Sequence, residues 1–75
     1  MELDTDKIDD AVLALLMLGA SGRKAWKGLD ATALARLHQR GMISDPNDRK
    51  ATLEFSEQGL ARAKAKRDEL FGRGA

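Results

Sequence analysis

The sequence predicts a small α+β domain in the order helix, short strand or lid, helix, β-hairpin, helix. Two observations carry that reading. Apolar residues keep a helical spacing in three separate stretches and change to alternation after Gly41. Each change of spacing coincides with a capping or turn residue, namely Asp30, Gly41, Asp45-Pro46 and Ser56. With 75 residues the chain makes one domain, residues 1–75, of which 72–75 read as a loose tail.

Helix 1 is expected from Thr5 or Asp6 to about Leu18, its acidic first turn suiting the positive end of the helix dipole. At about 100° per residue, Ile8, Ala11, Val12, Leu15, Leu16 and Leu18 share one broad face, taken as the buried one. Leu13 and Met17 fall on the other side among Asp6, Asp9 and Asp10, where they form a candidate protein interface. The glycines at 19, 22 and 28 then bracket Arg23-Lys-Ala-Trp-Lys27, read as a strand or lid with Trp26 capping the small core.

Helix 2 has the clearest ends. Asp30 is its N-cap, Leu29 staples against Leu34, and Gly41 takes the left-handed conformation that stops it. Ala33, Leu34 and Leu37 mark its buried face, leaving Thr32, Ala35, Arg36 and Gln39 outward. Ile43, a turn at Asp45-Pro-Asn-Asp48, and inward Ala51, Leu53 and Phe55 then make a hairpin. Ser56 caps a last helix running to about Phe71, with Leu60, Ala63, Leu70 and Phe71 on one face and Lys64 and Arg67 intruding on it.

This succession describes a winged-helix-like domain whose wing is the hairpin. A helix-turn-helix needs about 14 residues for its supporting helix and turns. Only Gly19 to Gly28 lies in the corresponding place, so the supporting helix is missing or reduced to one turn.

Leu34-Ala-Arg-Leu-His-Gln-Arg-Gly-Met-Ile-Ser44, Asp48-Arg-Lys50 and Phe55-Ser-Glu-Gln-Gly-Leu60 resemble the recognition-helix end, wing and final-helix start of MarR-type winged-helix regulators. Over nearly its full length the chain also resembles a family of short bacterial proteins classed as a domain of unknown function. The residues that carry this are Met1 to Leu16, Ala25-Trp-Lys-Gly-Leu-Asp30, Arg36-Leu-His38 and Gly41-Met-Ile-Ser-Asp-Pro46. Leu29 and Ala31 depart from it, standing where that family often has bulky aromatics. The second resemblance implies no activity.

Composition narrows the function. Cysteine is absent and there is one histidine, so neither a disulfide nor a clustered zinc site is expected, and a reducing, cytoplasmic setting fits. The apolar run Ala11 to Leu18 falls short of the roughly 20 residues of a membrane span. Net charge is +1, but acids crowd the first ten residues and bases dominate from Arg23 onward. The acidic side of helix 1 can neutralise Lys64, Arg67 or their neighbours, and Lys64 and Asp68 make a local pair.

A DNA-binding reading assigns Thr32, Arg36 and Gln39 to base edges, with Arg40, Arg49 and Lys50 on phosphates. A protein-association reading, most simply a homodimer, uses Leu13 and Met17. His38 has no carboxylate or nucleophile partner at a catalytic spacing, and no Gly-rich phosphate loop is present. The expectation is therefore a non-catalytic binding module without cofactor or metal, favouring protein association over DNA.

Overall fold

A computed structural model describes residues 2–73. It is an α+β arrangement of α1 (Thr5–Leu18), β1 (Lys24–Trp26), α2 (Ala31–Gln39), β2 (Thr52–Glu54) and α3 (Glu57–Phe71). Every helix starts on an oxygen-bearing cap. Asp4, one residue earlier than expected, accepts from the amides of Asp6 and Lys7; Asp30 accepts from Ala33 and Ser56 from Gly59. The end of α2 is a Schellman turn: Gly41 has φ 74°, the Met42 amide donates to the Leu37 carbonyl and the Gly41 amide to that of His38.

The segment around Trp26 is a strand. It pairs antiparallel with β2 in the register Lys24 to Glu54, Ala25 to Leu53 and Trp26 to Thr52. The expected hairpin is formed only in part. Ile43 makes an isolated bridge to Phe55 and the Ser44 amide reaches the Glu54 carbonyl at 2.8 Å, but the regular ladder of β2 lies on its β1 side. Leu53 and Phe55 point inward as expected, whereas Ala51 is exposed because the chain at 49–51 has not yet entered the sheet.

The largest correction concerns α1. The Leu13 side chain is fully buried and Met17 nearly so, while Leu15 and Leu18 are 47% and 58% exposed. The helix is turned so that its acidic side faces the protein. Asp9, 1% exposed, accepts from Arg36 of α2 through Nε at 3.0 Å and Nη2 at 2.8 Å, and Arg40 adds a longer contact at 3.4 Å. Asp10 accepts from Arg62 of α3 at 2.9 and 3.1 Å and pairs with Lys66 at 3.6 Å. Leu13 and Met17 stand one and two turns beyond Asp9 on this side and fill the space beneath the ion pairs.

The buried positions of helix α3 are small. They are Gly59 and Ala63, and a side chain at Gly59 would collide with the Met42 backbone that follows α2. Leu70 and Phe71, expected on the buried face, are half exposed, because the closest approach lies at the N-terminal end of α3. Lys64 is exposed and makes no pair with Asp68; the local pairs are Lys66 with Glu69 and Arg67 with Asp68. Helix 1 does neutralise α3, but through Arg62 and Lys66. No helix among the described residues is long and apolar enough to cross a membrane.

The forked contact from Arg36 predicts an unequal response to mutation. Arg36→Ala leaves the buried Asp9 carboxylate with only its long contact to Arg40, and orphaning a buried carboxylate costs about 3 kcal/mol or more. Arg40→Ala should lower the urea midpoint far less, and Arg36→Lys should recover little because an ammonium cannot make the fork. Replacing both partners, as in Asp9→Leu with Arg36→Met, should restore most of the loss. Equal midpoints for Arg36→Ala and Arg40→Ala would refute the account.

Candidate functional site

Turning the acidic side of α1 inward leaves an apolar stripe outside. Ile8 and Ala11 are half-buried and Leu15 and Leu18 exposed, and their spacing of three and four residues puts them on one line along the helix. Between Ile8 and Leu18 this line carries no charge.

Trp26 borders the stripe. Expected to cap the core, it is instead 68% exposed. Ala25 takes the inward position of β1, and strand alternation sends Lys24 and Trp26 outward. The indole lies over Gly28, whose missing side chain makes room for the ring. With Leu15, Leu16, Gly19 and Leu29 it walls an open groove of about 220 Å³. A second hollow of about 420 Å³ lies between the start of α1 and the end of α3, lined by Lys7, Asp10, Ala11, Lys66, Glu69 and Leu70. Ala11 lines the second hollow and Leu15 the first, so the stripe runs between them.

The residues singled out for DNA do not form one free surface. Thr32, Gln39, Arg40, Arg49 and Lys50 are exposed. Arg36 is held on Asp9, whose hydrogen bond pushes its guanidinium further above the ordinary arginine value and keeps it charged. Arg40 shares that carboxylate at 3.4 Å. Sequence spacing gives no sign of this, since Asp9 and Arg36 lie 27 positions apart.

The turn at 45–50 is pinned to the end of β1. Lys27 Nζ donates to the Asp48 carboxylate at 2.8 Å and to its carbonyl at 2.9 Å, while the same carboxylate accepts from the Lys50 amide. An Asx turn at Asp45 holds the Asn47 amide. His38 donates from Nδ1 to the Ile43 carbonyl at 3.0 Å, tying the end of α2 to the segment that leads to β2. No cluster of three or more potential metal ligands occurs among the described residues.

Asp48 gives this tether a pH signature. The hydrogen bond from Lys27, and after it that from the Lys50 amide, holds the Asp48 carboxyl below its ordinary value. A group lowered in the folded state stabilises it above the unfolded carboxylate pKa, and that contribution is lost as pH falls through the folded value. The Lys50 amide shift should therefore titrate with a midpoint below the usual aspartate range. Lys27→Met should move the midpoint upward without restoring it fully; no movement would show that Lys27 does not hold the tip.

A family model described as domain of unknown function DUF6429 matches residues 4–73. Uncharacterized protein y4hR of Sinorhizobium fredii is 49% identical over 74 residues, covering 97% of this chain and 95% of that protein. No solved structure matches the chain.

Proposed function

The chain belongs to the DUF6429 family, a domain of unknown function, and we propose that this protein is a non-catalytic protein-association module that docks through the outward face of α1. The observation that carries the reading is the apolar surface of Leu15 and Trp26 around one groove, extended along the helix by exposed Leu18. A small domain that pairs Asp9 and Asp10 with arginines while leaving Leu15, Leu18 and its one tryptophan among its exposed large apolar residues has apolar surface arranged for a partner. Tryptophan is among the residues most enriched where association energy concentrates. The candidate contacts are thus Leu15, Leu18 and Trp26 in place of the buried Leu13 and Met17. Hydrogen-bonded His38 and arginine-paired Asp9 and Asp10 have structural roles, which supports a module without catalysis.

A photocrosslinking side chain placed at Leu18 or Trp26 in cells should give discrete adducts with another polypeptide. The same group at Lys64, exposed on α3, should give none. Adducts equally abundant at all three positions, or absent from the first two, would end this reading.

We assign the architecture to a reduced winged helix. Its support is the placement of β1 between α1 and α2, the pairing of β1 with β2, and the Ile43 to Phe55 bridge beneath a turn. The segment between α1 and α2 holds β1 and no helix, which leaves out the supporting helix that braces a DNA-reading one.

DNA binding is the second reading, favoured by one feature: Arg49 and Lys50 project unpaired from a wing tip held by Lys27. With Arg36 engaged, contacts would come from Thr32, Gln39, Arg40, Arg49 and Lys50. If DNA is the ligand, amide shifts at these positions should move together on adding duplex, and affinity should fall steeply with salt. Silence of Thr32 and Gln39 would remove it.

A further inference from the structure

We infer that the partner on α1 is a second copy of this chain, packed with the two α1 helices antiparallel across a two-fold axis on the outward side, level with position 13 along the helix. The inference rests on the association reading above and adds the occupant and its orientation. Three features of the stripe carry it.

The first is shape. An antiparallel pairing centred at position 13 puts Leu15 of one copy over Ala11 of the other, and Leu18 over Ile8. The exposed leucines are thus matched with positions that are smaller or already half-buried. A two-fold interface must be complementary to itself, and a line that is shallow at one end and projecting at the other meets that demand only when reversed.

Charge is the second. The N-terminal end of α1 carries exposed Glu2, Asp4 and Asp6, against one base, Lys7. Beyond its C-terminal end Arg23 is exposed and makes no ion pair among the described residues. Asp4 lies about 13 Å from the proposed axis at 1.5 Å per residue. The reversed partner brings the C-terminal end of its α1, and the turn with Arg23 that follows Leu18, toward the acidic end. A parallel pairing would set acid against acid, and an antiparallel one also opposes the helix dipoles favourably.

The third is the uncharged middle. The positions that would be desolvated at the centre are Ala11 and Leu15, so no buried ion is left without a partner.

Sedimentation of the full chain from micromolar to millimolar concentration should show a monomer–dimer equilibrium. Leu15→Asp should weaken it about tenfold or more while leaving the circular dichroism of the monomer unchanged; Leu18→Lys serves the same purpose if Leu15→Asp fails to fold. Arg23→Glu should weaken the dimer a few-fold at low salt, and Glu2→Arg with Arg23→Glu should restore it.

Orientation is read separately, since the chain has no cysteine of its own. On oxidation, an Ile8→Cys copy mixed with a Leu18→Cys copy should form a disulfide between unlike copies, and Leu18→Cys alone should not cross-link. A wild-type monomer at millimolar concentration, or self-cross-linking of Leu18→Cys in preference to the mixed pair, overturns the inference. Heterologous adducts at Leu18 in cells, combined with that monomer, would overturn it while sparing the association reading; loss of both would remove the two together.

Discussion

The rotation of α1 about its own axis depends on a single carboxylate. Asp9 is buried, and several kcal/mol of desolvation would expel it from the interior if it lacked partners. Arg36 on α2 and Arg40, its C-cap, supply them. Because Arg36 grips with two nitrogens, it fixes direction as well as charge, and α1 can take one orientation against α2. Asp10 repeats the arrangement toward α3 through Arg62. Two adjacent acids thus point to different helices and wedge α1 between them, with Leu13 and Met17 held inside.

The remaining architecture follows from close approach at the end of α2. Gly41 turns the chain, and the Ser56 hydroxyl donates to its carbonyl at 2.6 Å while the Ser56 amide donates to that of Met42 at 2.9 Å. The same hydroxyl then accepts from Gly59 to start α3. One serine therefore follows the end of β2, caps a helix and locks that helix onto the turn after α2. Gly59 is needed because its neighbour is the Met42 backbone, which cannot move aside as a side chain can. The sheet can stay at three residues per strand because these contacts, and the tether from Lys27, already fix its ends.

Local chemistry was legible in the sequence. The caps at Asp30 and Ser56, the left-handed Gly41 and the ends of α1 and α3 rest on interactions within a few residues, so the chain states them directly. The buried face of α1 was legible only in part: Val12 and Leu16 are buried as expected, Leu13 and Met17 against expectation. Counting apolar residues around a wheel selects the side with Leu15 and Leu18, because the count treats aspartate as a surface residue. Asp9 escapes that rule only through a guanidinium on another helix, and nothing near it in the chain announces the pairing. The candidate site inherited the error: the idea of an apolar contact on helix 1 survives, but its residues move from Leu13 and Met17 to Leu15 and Leu18. Trp26 was misplaced for a different reason. Its size suggested burial, whereas in a three-residue strand the inward position had already gone to Ala25.

Apolar spacing alone would have favoured a different rotation. Facing Ile8, Ala11, Leu15 and Leu18 inward beside Val12 and Leu16 would hide an uncharged line and leave Asp9 and Asp10 in water with the already exposed Asp4 and Asp6. The observed orientation instead buries ions, which must be matched by specific arginines, and exposes leucines. A buried ion pair is seldom more stabilising than the apolar side chains that could replace it; its better-attested effect is to select one arrangement among several. Here the arrangement selected is the one that sets Leu15 and Trp26 around a groove and leaves Leu18 exposed beside it. Departures from local consistency tend to fall where a protein works rather than where it merely folds. The inversion of α1 is such a departure, and the surface it creates is apolar, uncharged along its middle and acidic at its leading end.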